Sequence, residues 1–273
     1  MHMDFSVLVP VYYKENPIFL DQALLSLENQ TLKSDEIVLV KDGPLTDELD
    51  AVIARHASNA SIPYTIVVLE KNAGLGIALA KGVDACRYEW IARMDGDDIA
   101  TPERFEKQIE FLSEHPAVDV LGAWISEFDD AMSRSTGERK PPLMHEDVVS
   151  YAKYRNPINH MTVIFRKSAV KEVGNYMPMN GFEDYFLWIR LLQKRYQFAN
   201  INDILVHART GRDMILRRQG WSYFKNECYF QKNARELGFL SKYEYMRNVL
   251  LRAVPRLLPV YVLKKVYNIL RKI

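Results

Sequence analysis

The run Tyr88-Glu89-Trp90-Ile91-Ala92-Arg93-Met94-Asp95-Gly96-Asp97-Asp98 decides how this chain is read. Its first half is the kind of short apolar segment that forms a strand buried in a sheet. Its second half puts three carboxylates into four positions at the strand's end. Ionised carboxylates this close repel one another and resist loss of water unless positive charge sits among them. A divalent cation held by oxygen ligands supplies that charge, and all-oxygen ligation suits Mg2+ or Mn2+. Gly96 is expected to let the backbone turn tightly enough for the flanking acids to converge. The competing explanation is an exposed acidic turn leading into a helix, for which Thr101-Pro102-Glu103 is a good start signal.

The segments on the N-terminal side of this turn repeat one pattern. Phe5–Val11 and Glu36–Val40 are short, nearly continuous apolar runs, as expected of strands buried on both faces, and Tyr64–Leu69 is a third strand. Between them lie helices: Pro17 to about Asn29 behind an Asn16 cap, a second opened by Thr46 with Asp47 and Glu48 at its positive end, and a third from the Asn72–Gly76 loop to about Cys86. Strands alternating with helices at this spacing predict a parallel, doubly wound α/β sheet. Ligands bind such sheets outside the carboxyl ends of the strands. Each of the four strands here ends in residues unsuited to a core: Tyr12–Glu15, Asp42-Gly43, Asn72 with its glycines, and Asp95–Asp98. Any one of these passes for a surface turn; four converging on one sheet edge argue for a site.

The C-terminal half is less regular. Val118–Phe128 alternates like a strand, Asp129–Lys140 reads as a hairpin or flexible loop, and Met161–Phe165 as a short strand after Asn159-His160. Gly181-Phe182-Glu183-Asp184 opens an amphipathic helix running to about Lys194. Capping explains one carboxylate in that first turn, whereas a neighbouring pair beside aromatics also fits a poised acid or base.

The 273 residues, 48% hydrophobic and 26% charged, describe an ordinary globular chain. Cys86 and Cys228 are too few and too far apart for a disulfide framework or metal-ligand spacing, so reduced packing cysteines in the cytoplasm are expected. No basic start precedes the first strand and no uncharged apolar run approaches the ~18 residues of a membrane span, so neither a secretory signal nor a spanning helix is expected. The net charge of +1 is uneven. Residues 245–273 hold seven Lys/Arg and no acid, which leaves −6 on the 244 before them. Within that tail, at ~100° per residue, Val262, Leu263, Val266, Tyr267, Ile269, Leu270 and Ile273 share an arc of roughly 160°, opposite Lys264, Lys265, Asn268, Arg271 and Lys272. A basic amphipathic helix without acids is expected at an anionic membrane surface, although packing on the preceding domain would explain it too. Pro255 and Pro259 are expected to break the segment into short pieces. A partner made of nucleic acid is not expected.

Val9-Pro10-Val11-Tyr12, Val40-Lys41-Asp42-Gly43, Asn72-Ala73-Gly74-Leu75-Gly76, the acidic turn, Asn159-His160 and Gly181–Asp184 occur in that order. Together they resemble the family 2 glycosyltransferases, in particular those of bacterial O-antigen and exopolysaccharide synthesis. The resemblance spans residue 5 to about 215. It implies an inverting enzyme of the GT-A fold, a central mixed sheet flanked by helices, with UDP-sugar as donor. Lys41 departs from the pattern, since many relatives carry an acid or a small residue there.

The resemblance also implies roles. Pro10, Val11, Tyr12 and Glu15 would line the nucleotide pocket, with Asn72, Gly74 and Gly96 beside the nucleotide. Asp42 would accept a hydrogen bond from the base and Asp95 would approach the ribose. Asp97 would hold Mn2+ or Mg2+ on the donor diphosphate, with His207 as a further ligand or a plain strand-end residue. Asp184 would be the catalytic base with Glu183 beside it, and His160 and Trp188 would lie on the acceptor side. Arg209 is the best phosphate ligand of a basic stretch that continues through Arg212, Arg217 and Arg218. The expected organisation is a catalytic domain over 1–215, its nucleotide half ending near 100, and a helical, membrane-associating extension over 216–273. The expected acceptor is a lipid-linked saccharide at the inner face of the plasma membrane.

Three other readings compete. A sugar nucleotidyltransferase shares the strands and acids but needs a glycine-rich loop after the first strand, which Val11–Glu15 lacks. A non-catalytic scaffold would have no use for both acidic clusters. A transferase acting on polyprenyl phosphate is the nearest alternative within the enzyme class.

Overall fold

In a computed structural model, residues 3–210 and 219–257 are described. The chain runs β1 (Phe5–Val11), α1 (Pro17–Glu28), β2 (Glu36–Lys41), α2 (Asp47–Asn59), β3 (Tyr64–Val68), α3 (Leu75–Ala85), β4 (Trp90–Arg93) and β5 (Ile99–Ala100). It continues through α4 (Arg104–Glu114), β6 (Val120–Phe128), β7 (Ser135–Arg139), α5 (His145–Tyr151), β8 (Ile164–Arg166), α6 (Lys167–Glu172), α7 (Glu183–Gln193) and β9 (Phe198–Arg209). Two further helices, α8 (Gly220–Glu236) and α9 (Lys242–Asn248), lead into tighter and looser turns up to Leu257.

The strands form one sheet in the order β3-β2-β1-β4-β8-β6-β9-β5, with β7 paired to β6. β1 to β4 are mutually parallel, as the alternation predicts. Beyond β4 the doubly wound pattern stops: β8 is antiparallel to both β4 and β6, β6 and β9 are parallel, and β5 is antiparallel to β9. The sheet is therefore mixed. Alternate residues of the parallel strands feed two cores. Val7, Val9 and Val11 join Leu20, Leu24 and Leu27 of α1 on one face, while Leu8, Val38 and Val40 join Leu79 and Val83 of α3 on the other. Burial on both faces is why these strands read as unbroken apolar runs. Gly82 lets α3 lie close on the sheet, since a Cβ there would run into Leu8 Cδ1 and stand 2.9 Å from Val40 Cγ2.

Two local expectations shift. Residues His160–Thr162 form a 3-10 turn in place of a strand, because the Thr162 hydroxyl donates to Asn159 O at 2.8 Å and accepts from Ala123 N at 2.9 Å. The helix after the acidic turn starts at Arg104, once Arg104 N has closed on Thr101 O.

Residues 219–257 pack against α7. Phe230 of α8 stacks on Phe182 at 4.9 Å, and with Ala234, Phe239 and Leu240 it joins the core that holds Leu187 and Trp188. The expected domain boundary near 215 falls in 211–218, outside the described residues, as do Arg212, Arg217, Arg218 and the whole 262–273 amphipathic stretch. Pro255 lies in the final turn, Val254–Leu257. Among the described residues no helix is long and apolar enough to cross a membrane.

Candidate active site

The registers bring the ends of four strands together. Val11, Lys41 and Val68 finish side by side, whereas β4 stops at Arg93, level with Leu8. The acidic turn that follows β4 thus runs alongside the end of β1. A Cβ on Gly96 would sit 3.6 Å from Pro10 O and 3.7 Å from Glu15 Cγ, which is ordinary contact, and Gly96 has no positive φ. Gly96 and Asp97 do form the expected turn, but Gly96 makes it without a positive φ, so the turn does not draw on the left-handed region open to glycine.

Asp42, Val11, Asn72 and Gly74 form a single connected ridge. Asp42 N donates to Val11 O at 2.8 Å. The Asp42 carboxylate accepts Ala73 N at 2.7 Å and Gly74 N at 3.1 Å, and its carbonyl accepts Asn72 Nδ2 at 3.2 Å. Gly43 makes this packing possible: its φ is +86°, and a Cβ there would overlap Asn72 N. Asp42 is 5% exposed, and by holding these two N–H groups its carboxylate ties two loops together beside the expected nucleotide pocket. Lys41 turns away to pair with Asp50 at 2.7 Å. The exposed face of the ridge is aromatic instead, with Tyr12 and Tyr13 in edge contact at 5.9 Å.

The three acids of the turn have different fates. Asp95 is forked by Arg93, with Nη1 donating to Oδ2 at 2.6 Å and Nη2 to Oδ1. Asp98 is buried and accepts Arg209 N at 2.8 Å. Asp97 is hydrogen-bonded by its own backbone N–H, and by no other group among the described residues. Burial first, then the charge of Asp95, push the Asp97 carboxyl up to about 6, against the pull of Arg93 and Arg209. Asp98 is raised well above the carboxylate range by burial and by its two acidic neighbours.

Arg209 is built into the acidic turn. Its guanidinium donates to Asp130 O at 3.1 Å, to Asp97 O and to Gln22 Oε1, and lies 4.2 Å over the Phe19 ring. Buried and engaged by these groups, it braces the acidic turn from β9. His207 lies two residues earlier in β9, in register with Ile99 of β5. Its ring meets Phe128 edge-on at 5.1 Å, burial lowers its pKa, and its Nδ1 is buried with no hydrogen-bond partner. Among the described residues no three His, Cys, Asp or Glu cluster as a complete metal cage. A carboxylate bonded only by its own N–H and a ring nitrogen without a partner are donor types that suit a divalent cation taking its remaining ligands from phosphate and water, the usual habit of Mg2+.

At the other side of β4, Asp184 occupies the first turn of α7 and accepts Asn156 Nδ2 at 2.6 Å. Burial raises its carboxyl, opposed by Asn156, by the Tyr185 N–H and by the charges of Arg93 and Arg139. Glu183 turns back and accepts Gly181 N at 2.9 Å, so in this structure it closes the loop before the helix. His160 Nε2 and the Tyr176 hydroxyl are 2.9 Å apart, and burial, with Arg93 second, holds the imidazole neutral. Trp188 is wholly buried between His160, Phe165 and Phe198, which places it in the core and not on an acceptor-facing surface.

Arg93 is the residue that sequence reasoning missed. Fully buried, it forks Asp95 while its charge also acts on Asp184, Tyr176 and His160. The signal was present: an arginine interrupts an apolar strand directly before three acids, where positive charge is required.

A model of the family described as "Glycosyl transferase family 2" matches residues 6–174. The amylovoran biosynthesis glycosyltransferase AmsE of Erwinia amylovora is 44% identical over 271 residues, covering 98% of this chain and 99% of that one. This chain is a family 2 glycosyltransferase. A second relative of the glycosyltransferase, from Escherichia coli, is named UDP-Gal:alpha-D-GlcNAc-diphosphoundecaprenol beta-1,3-galactosyltransferase. It is 34% identical, with 96% of each chain covered. The crystal structure of residues 1–349 of S. aureus TarS in complex with UDP-GlcNAc superposes with a TM-score of 0.68 at 18% identity, covering 93% of this glycosyltransferase and 72% of that chain. The fold is GT-A, with a mixed sheet between helices.

Proposed function

We propose that this glycosyltransferase moves a hexose or N-acetylhexosamine, with inversion, from a UDP-sugar to a hydroxyl of a lipid-linked saccharide during assembly of a bacterial surface polysaccharide. The observation that carries this reading is the grouping of two acidic sites around Arg93: the turn Asp95–Asp98 on one side and Asp184 on the other. The names of the two relatives support the polysaccharide setting, the lipid-linked acceptor and galactose as the favoured sugar.

The nucleotide lies along the ends of β1 to β4, with Tyr12 offering a face to the base and the loops held by Asp42 framing the pocket. Asp95, fixed by the Arg93 fork, meets the ribose. Asp97 and His207 would hold Mn2+ or Mg2+, which when bound supplies Lewis-acid neutralisation of the departing diphosphate. On the opposite side the Asp184 carboxylate accepts the proton of the acceptor hydroxyl as that oxygen bonds to the anomeric carbon. The bond from that carbon to the diphosphate oxygen breaks in the same step, and UDP leaves. Attack from the face opposite the leaving group inverts the anomeric centre. Because the acceptor is anchored in lipid and the donor is soluble, the enzyme works at the cytoplasmic face of the plasma membrane.

The test is a panel of UDP-sugars with Mn2+, read by UDP release, against a diphosphoprenol-linked sugar and a bare prenyl phosphate. Turnover is expected with UDP-galactose and the saccharide acceptor. Turnover with the bare lipid phosphate alone would overturn the acceptor class, and no release from any UDP-sugar would overturn the donor.

A further inference from the structure

The last turns of the described chain, after α9, are built largely inside out. From Asn248 onward the polar side chains face the protein. Asn248 Nδ2 donates to Gln231 Oε1 at 2.9 Å and to Lys153 O at 2.8 Å. Arg252 and Arg256 reach Glu227, fully buried in α8, at 3.0 and 3.8 Å. The apolar side chains face out. Tyr243 (76% exposed), Met246, Leu250 (64% exposed), Val254 and Leu257 recur every three or four residues with Leu251 beside them, and all are exposed. Scattered exposed leucines mean nothing, but a continuous stripe at helical spacing opposite a buried polar seam is the mark of an interaction surface.

We propose that this stripe is the docking face of the enzyme on an anionic lipid bilayer. Charge decides between occupants. No acid occurs after Glu244, and Lys264, Lys265, Arg271 and Lys272 follow the stripe within sixteen residues of its end. Two copies joined through the stripe would each carry this all-basic continuation of sequence and repel, whereas anionic headgroups complement it. Tyr243, apolar in body and polar at its tip, suits the interface itself. The inference deepens the lipid-linked acceptor reading by naming the surface that brings the enzyme to that acceptor, and it rests on observations independent of the reaction.

The test uses the full chain, without donor or acceptor, in sedimentation with vesicles of phosphatidylcholine alone or mixed with phosphatidylglycerol. Wild-type protein is expected to pellet with the anionic vesicles, and Leu250→Glu/Leu251→Glu to lose about tenfold or more of that partition. Unchanged melting temperature and UDP-sugar hydrolysis confirm that the variant is folded. Three results overturn the proposal: equal pelleting of the variant, no pelleting of wild type with anionic vesicles, or a wild-type dimer in equilibrium sedimentation that the variant splits. Because vesicle partition is read without chemistry, its failure leaves the transfer reading standing, and failed transfer leaves this one standing.

Discussion

Burial raises the carboxyl of Asp184, and the Asn156 amide and the Arg93 charge pull against it. In the proposed mechanism Asp184 works as the carboxylate, so the reaction is expected to slow about tenfold per pH unit below that raised pKa, with the acid limb above the ordinary aspartate value of about 3.9. Arg93→Met removes a charge that lowers the pKa, so the limb is expected to move to higher pH; a kcat/KM profile that does not move would separate Arg93 from the base. Asp184→Asn should cost about 10²–10⁴ in kcat while leaving UDP affinity unchanged, as single-turnover kinetics and calorimetry would show. Asp42→Ala tests the opposite kind of acid. It strands the Ala73 and Gly74 N–H groups and is expected to lose about 1–3 kcal/mol of stability in urea titration. A variant that stays as stable as wild type but loses UDP binding would give Asp42 the base-contact role.

At the scale of elements, α7 is the piece on which the proposed acceptor side depends. It carries Glu183 and Asp184 at its first turn and is clamped on its far side by α8, where Phe230 stacks on Phe182 and tilts against Tyr185 at 4.6 Å. Truncating Phe230 to Ala leaves a cavity directly under that turn and is expected to destabilise by about 3–5 kcal/mol. Chemical denaturation measures the loss, and a fall in kcat larger than the fall in donor affinity would follow from loosening Asp184. A fully active, equally stable variant would show that α8 is a mere appendage.

For the whole molecule, the proposed donor and acceptor sides are linked through Arg93 at the end of β4, which forks Asp95 and whose charge acts on Asp184. The Asp97 carboxylate and the His207 ring nitrogen have no other partner among the described residues, so the assembled site is expected to require a cation. EDTA should abolish transfer and Mn2+ restore it, and Asp97→Asn should remove the Mn2+-dependent gain in UDP affinity seen by calorimetry. Transfer that proceeds unchanged in EDTA would rule this out.

The sequence by itself determined the parallel half of the sheet, because strands buried on both faces must be apolar throughout, and caps such as Asn16 and Thr46 mark helix starts locally. It also located the acidic turn and the Glu183-Asp184 pair, since clustered carboxylates at element ends stand out from any core pattern. What only the tertiary structure decided is which of these groups are free. Asp42 and Arg209 look like ligands in the sequence, yet their hydrogen bonds are taken by Ala73, Gly74, Asp97 and Asp130, residues 31 to 112 positions away. Trp188 and the central role of Arg93 were hidden for the same reason. Local pattern records what a residue can do, but partners brought from distant strands determine what remains for it to do.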